Sequence, residues 1–309
     1  MRKIAVMLLL FASACFGELN VADFPNFKAA VQACIDRNEN TLFVPRMKTS
    51  AFVLKEALPA WPGGNLIIRG EGDPSIIWLE GDGVICIPGC SLKLRDLRVY
   101  GAPTNSPKAG VVFCRAESGD RKGHSVPGCQ LRDVTINGSY TVAGYVNLCA
   151  EGEMLIGGSV VNDKGYAAIW DSNDRYGLGR TTDAPSFTNS HHTIVGAGFA
   201  CWNRTSNPNL SPILIAGHTD SLVMDGVYVT AQGCKAYVTL WSYPASFGRG
   251  NRPRWNTIRT AGWESAPNKQ PYYGIWYKCE GGQVLPEKLK SLPAIRWQTG
   301  PAEGQETVP

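Results

Sequence analysis

One strand-like text recurs along this chain, and internal repetition constrains a fold more tightly than any local motif. Leu92-Lys-Leu-Arg-Asp-Leu-Arg-Val-Tyr-Gly101 returns as Leu131-Arg-Asp-Val-Thr-Ile-Asn-Gly138 and as Leu222-Val-Met-Asp-Gly-Val-Tyr-Val229, with looser copies at Met154–Asp163, His192–Trp202 and Trp255–Trp263. Leu97 to Gly262 is covered in five uneven steps that average about 33 residues. A second text interleaves with the first: Gly83–Cys86, Gly110–Cys114, Gly144–Cys149, Gly165–Trp170 and Gly274–Cys279, with Ala236–Trp241 in the same column but lacking the glycine. Each copy alternates apolar and other residues over four to six positions, which is strand periodicity. Two strand texts repeating in order with glycine-rich turns describe the coils of a solenoid, each coil burying its inward residues only against its neighbours. The expected fold is therefore all-β, a single-stranded right-handed parallel β-helix. A β-sandwich also has many short strands, but it does not predict the same text returning in the same order. The insertions at 102–109, 115–128, 171–190, 203–211 and 242–254 are expected on one side of the stack.

The segment before the repeats fits an end cap. Phe27, Val31, Cys34 and Ile35 form a helical stripe after Pro25, and an amphipathic helix covers an open strand edge. The expected organisation is a signal peptide at 1–17, a capping segment at 18–60, the β-helix at 61–285 and a tail at 286–309. Met1-Arg2-Lys3, an apolar run from Ile4 and Ala12-Ser13-Ala14 make a charged, apolar, small-residue leader, which implies export to the periplasm, the cell surface or the medium. Cys15 follows as in a lipobox, although Ala12 stands where leucine is usual, so lipidation is the lesser reading. No stretch is long and apolar enough for a membrane helix. A leader of this kind counts against a phage virion part.

The net charge of +4 is small and scattered, with no basic stripe for nucleic acid. Nine cysteines remain after Cys15, an odd number, so disulfides in an oxidising compartment leave at least one thiol over. Neither C-x-x-C nor H-E-x-x-H occurs, so no metal site is declared.

The N-terminal third resembles the pectate-lyase-like superfamily of phage tailspike-type and polysaccharide-degrading β-helices. The resemblance is carried by Leu19-Asn-Val-Ala-Asp-Phe24, Ala29-Ala-Val-Gln-Ala-Cys-Ile35, Leu42-Phe-Val-Pro45, Asn65-Leu-Ile-Ile-Arg-Gly-Glu-Gly72 and Ile76-Ile-Trp78. It covers residues 19–101 in order and extends loosely to about 280. One departure is Pro25-Asn-Phe27, where the family carries a Gly- and Asp-rich stretch. The resemblance implies a polysaccharide or surface glycan as partner, a homotrimer by analogy with tailspikes, and Ca2+ if the protein is a lyase. It selects no activity, since lyases, hydrolases, epimerases and receptor-binding spikes share the fold.

Asp96, Asp133 and Asp225 fall in one repeat column and read as a ladder of turn residues, with stacked carboxylates for a cation as the other reading. Trp170, Trp241 and, one place out of register, Trp202 read either as a platform for sugar rings or as core; Tyr243 follows Trp241. Asp171 and Asp174 with Arg175 and Arg204 are the candidate catalytic set. They lie on two loops that stacking would make neighbours, and they offer the acid and base of a hydrolase or the base and charge neutraliser of a lyase. His192, His218 and Asp220 are lesser candidates for substrate contact or general base, and the aromatic stretch Trp263–Tyr277 could extend a groove. Whether the chain cleaves a polysaccharide or only binds one, as an adhesin or tailspike-like receptor binder would, stays open at this level, as does a purely structural solenoid.

Overall fold

The computed structural model describes residues 18–46, 51–115, 126–148, 150–171, 191–205, 207, 209–217, 219, 221–242, 256–264, 273–279, 295–297 and 306–307. Every strand pairing among them is parallel, and neighbours in a sheet are successive coils. The chain is a right-handed parallel β-helix with three faces per coil. A 14-stranded sheet folds over a corner and supplies two faces, and a 7-stranded sheet supplies the third.

The corner explains the repeated text. Ser91–Gly101 pairs with Asn65–Arg69 through its first half and with Ile76–Leu79 through its second, so one strand text spans two faces. Between the halves Asp96 is left-handed, with φ 52°, and Asp133, Gly157, Gly196 and Gly226 repeat this at φ 51–62° in the following coils. The pairings Arg95↔Arg132, Arg132↔Ile156, Ile156↔Val195 and Val195↔Asp225 put these five residues in one column. Glycine and aspartate tolerate that conformation best, which is why both types recur there. Asp225 stands one place before this column, and Gly226 makes its turn. The three-aspartate ladder is thus an Asp96–Asp133 pair continued by glycines.

The second text is the third face: Ala109–Cys114, Ala143–Leu148, Tyr166–Asp171, Ile213–Ala216, Ala236–Ser242 and Tyr273–Cys279. Gly110 and Gly144 share a column there, and Ala167 rather than Gly165 continues it. A Cβ on Gly110 would lie 2.5 Å from the Gly144 carbonyl oxygen and 2.8 Å from an Ile136 methyl, so the close approach of face to face demands glycine. Coil length is uneven because loops vary while the register holds. Gln130 stacks on Met154, 24 residues on, and Met154 stacks on Thr193 after a long insertion.

These insertions do not share one side. Residues 102–108 and 203–212 connect the second face to the third, whereas 115–129, 172–191 and 243–255 follow the third. The reason is that the loops leave from opposite ends of the third-face strands.

Phe27–Arg37 forms the expected helix, capped by the Asn26 side chain accepting from the Ala29 amide at 2.8 Å and ended by left-handed Asn38. It buries Phe27, Ala30, Val31 and Cys34 against the core, with Ile35 packed at the margin. Ahead of the repeated text Leu19–Asn20 pairs with Thr41–Phe43, and Ile295–Trp297 and Glu306–Thr307 pair with the strands of the last coil. The proposed leader at 1–17, with Cys15, lies outside the described residues. Among the described residues no helix is long and apolar enough to cross a membrane.

Candidate functional site

Inward positions of each face form columns, and most are aliphatic, as a dry interior requires. One column departs from this rule. Leu66, Leu92, Cys129, Glu153, His192 and Leu222 succeed one another at the start of the first face. Glu153 and His192 are fully enclosed, and the third face answers them with inward Tyr145, Asn147 and Trp170. The Tyr145 hydroxyl and the Asn147 amide donate to the two Glu153 oxygens. Trp170 Nε1 donates to Oε2 at 3.1 Å, and His192 Nδ1 lies 3.0 Å from the same oxygen. A carboxylate only accepts, so His192 carries its proton on Nδ1 toward Glu153; its Nε2 is buried with no hydrogen-bond partner among the described residues. Burial, with Glu153 beside it, pushes the Tyr145 hydroxyl well above its usual value. Edge-on aromatic contacts run through the same layer, Phe113 to Tyr145 at 5.5 Å, Tyr145 to Trp170 at 5.6 Å and Trp170 to Phe199 at 6.0 Å.

Trp170 and His192 are therefore interior residues, with no surface for a glycan. Glu153 was not among the sequence candidates. Its signal was its place in the repeat column that Leu66, Leu92 and Leu222 also occupy, a carboxylate where those coils have an aliphatic side chain.

Trp241 is one register place from Trp170. It stacks over Ala216, Asp171, Leu148 and Cys114 on the outward side of the third face. That side is also covered: Val112, Cys114, Val146, Leu148, Ile169, Leu214 and Trp241 form a second apolar cluster, and Trp241 keeps 7% of its surface. Asp171 is buried in this column. Asp171 and Arg204 do not meet. Arg204 follows the second face and Asp171 ends the third, and Tyr166–Asp171 alone spans about 16 Å at roughly 3.3 Å per residue. The two described members of the expected pair part because Asp171 ends a third-face strand whereas Arg204 follows the second face, at the other end of that strand.

The sequence candidates that reach solvent together are Trp202 and Arg204. Trp202 ends Gly198–Trp202 on the second face, not the third, and is 39% exposed. With Asn203, Arg204 and Gln232 it lines an open notch of about 310 Å³. Gln232 is its register partner in the next coil. The Asn203 amide donates to the carbonyls of Asn207 (2.7 Å) and Gly233 (2.8 Å), and its oxygen accepts from the Thr205 amide and hydroxyl. Asn203 thus builds the loop and leaves binding to its neighbours. The Arg204 amide donates to the Asp163 carbonyl at 3.1 Å, while its guanidinium, 70% exposed, stands 3.6 Å from the Asp163 carboxylate. Such a long, wet pair contributes under about 1 kcal/mol and releases the guanidinium readily. An apolar ring, a primary amide and an available cation on one flank can hold a pyranose ring, its hydroxyls and a carboxylate.

Asp174, Arg175, His218, Asp220 and Tyr243 lie outside the described residues, as do the side chains of the aromatic stretch Trp263–Tyr277. Among the described residues no group of three or more His, Cys, Asp and Glu side chains could hold a metal ion.

No protein-family model matches the sequence, and no curated protein matches it. Among solved structures the chain is similar to the A-module of the Azotobacter vinelandii mannuronan C-5 epimerase AlgE4, with 14% identity over 92% of this chain and 99% of that one and a TM-score of 0.33. It is also similar to the A-module of AlgE6 from the same organism, with 13% identity, 92% and 97% coverage and a TM-score of 0.36. These likenesses assign neither a residue nor an activity.

Proposed function

We propose that this chain is an exported β-helix that binds an acidic polysaccharide on the flank where the second face turns into the third. Trp202 is the platform for a sugar ring, Arg204 the contact for a uronate carboxylate and Gln232 the contact for hydroxyls. The observation that carries the reading is the exposed Trp202 indole beside the Arg204 guanidinium in one notch. Every other tryptophan whose side chain is described is buried or half-buried. Export is supported by the leader text, Met1-Arg2-Lys3 followed by its apolar run. Binding is favoured over cleavage because Asp171, a member of the candidate catalytic set, has no accessible surface. A glycosidase needs two accessible carboxyls within roughly 10 Å across the scissile bond.

The test is affinity measurement against uronate-rich and neutral polysaccharides, with ultraviolet absorbance and reducing ends followed in the same samples. Uronate chains are expected to bind in a salt-dependent manner without new ends. Trp202→Ala should weaken binding about tenfold, roughly 1.4 kcal/mol, and Arg204→Ala should abolish the preference for uronates. Wild-type indifference to all the polysaccharides, or unchanged affinity in Trp202→Ala, sinks the proposal. Unsaturated or reducing ends would shift the reading to a lyase or hydrolase and make Asp174 and Arg175 the next substitutions.

A further inference from the structure

The outward side of the third face brings together two sulfurs from successive coils. Cys114 ends Ala109–Cys114 and is buried, while half-buried Cys86 packs against the same outer apolar cluster from the coil before. Their Sγ atoms are 3.3 Å apart, about 1.3 Å more than a disulfide bond. The backbone around them is tied in place: the Ile85 amide donates to Gly110 and the Val112 amide to Ile85, both at 3.0 Å, and the Gly89 amide donates to Cys114 at 3.3 Å. Side-chain rotation rather than backbone movement is what closure requires.

We propose that Cys86 and Cys114 are a disulfide-forming pair that cross-links the first two coils of the third face when the folded chain meets a small-molecule disulfide such as oxidised glutathione. The inference is independent of the glycan reading. Cys86, the more exposed sulfur, attacks one sulfur of the donor disulfide as a thiolate, forming a mixed disulfide and releasing one donor thiol. Cys114 then loses its proton and attacks the Cys86 sulfur, forming the Cys86–Cys114 bond and releasing the second donor thiol. Two protein thiols are oxidised and one donor disulfide is reduced to two thiols. Three of the other described cysteines, Cys34, Cys90 and Cys129, are poorer partners. Cys34 and Cys90 are sealed in the interior, and burial pushes their thiols up to about 11 and about 12. Burial raises Cys129 further.

The test uses the whole folded protein, reduced and then exposed to oxidised glutathione, quenched with an alkylating agent and mapped by mass spectrometry. The expected product is a linked pair of peptides containing Cys86 and Cys114, with the other described cysteines alkylated only after unfolding. Cys114→Ala should instead trap glutathione on Cys86, and Cys86→Ser should leave Cys114 unmodified. For a closed loop of 28 residues, chain-entropy arithmetic gives a folding constant a few hundred-fold larger for oxidised than for reduced protein. Full alkylation of Cys86 in the oxidised native protein, or a bond at Cys201–Cys234 or any other pair in its place, overturns the proposal.

Discussion

Substituting Glu153 by leucine tests whether the polar layer inside the solenoid holds the coils together. Leucine suits the position, since Leu92 and Leu222 occupy the same inward column. What is lost is the acceptor for four enclosed donors: the Tyr145 hydroxyl, the Asn147 amide, the Trp170 indole and the His192 imidazole. A buried donor left without an acceptor costs about 1–3 kcal/mol, while the added apolar burial returns about 1.5–3 kcal/mol. The balance is a loss of about 4 kcal/mol, which agrees with the 3–5 kcal/mol typical of removing one member of a buried pair. In a domain of this size that lowers the melting midpoint by roughly 8–16 °C. Urea and thermal unfolding followed by tryptophan fluorescence would measure it, with unfolding rates used if refolding fails. Glu153→Leu combined with His192→Leu removes one orphaned donor as well, so the double variant should lose less than the sum of its singles by at least about 1.5 kcal/mol. A Glu153→Leu protein within about 1 kcal/mol of wild type, with additive double substitution, would refute the reasoning.

Corner and interior residues give three further expectations. Asp96→Gly should leave stability within about 0.5 kcal/mol, because relief of the left-handed strain offsets the glycine's extra chain entropy, whereas Asp96→Val should cost about 2 kcal/mol. Gly158→Ala should cost at least about 3 kcal/mol, since its Cβ would lie 2.2 Å from the Val134 carbonyl oxygen at φ 69°; Gly196→Ala, at φ 62° with open space, should cost only about 1 kcal/mol. Chemical unfolding would rank these variants. Stability should fall as pH rises past 9. Cys34 and Cys90 ionise from 9.0 in the unfolded chain but only near 11 and 12 when folded, and Tyr140 and Tyr145 are raised likewise above 10. Stability from each raised acid is intact below the unfolded value and is lost through the interval above it, at about 1.4 kcal/mol per pH unit per group. Flat urea midpoints from pH 8 to 11 would contradict the burial of these groups.

The coil columns were legible because inward residues of successive coils repeat in order, and the helix because Phe27, Val31 and Cys34 keep a 3.6 period. The corner was not. A single left-handed residue at Asp96 shifts the alternation phase between the two halves of Ser91–Gly101, and the sequence carries no mark of which aspartate turns. Hence Asp225 was aligned one place off. Trp170 and Trp241 show the same ambiguity from the other side. Neighbouring register positions face opposite ways, so one tryptophan is core and the other lies on the outer cluster. Of the candidate site, Trp202 and Arg204 were legible as an aromatic at the end of a repeat copy and a cation on the insertion that follows it. Their separation from Asp171 was not, because it depends on which end of the third face each loop leaves.

A stack of aliphatic columns is degenerate on its own: a coil displaced by one step still places leucine on leucine. Glu153 removes that degeneracy. Its acceptors are satisfied only where Tyr145 and Asn147 lie one coil step before Trp170 on the third face and His192 follows on the first. One step toward the N-terminus, the third face offers Val111 and Phe113 in place of Tyr145 and Asn147. One step toward the C-terminus it offers Ile213 and Ile215 in place of Ala168 and Trp170. Either displacement takes donors away from the buried carboxylate, at a cost of about 1–3 kcal/mol for each buried group left unpaired. The penalty falls midway along the stack, where long insertions on both sides make the coil spacing least regular, and it holds the coil that carries Trp202 in the register that sets its ring beside Gln232.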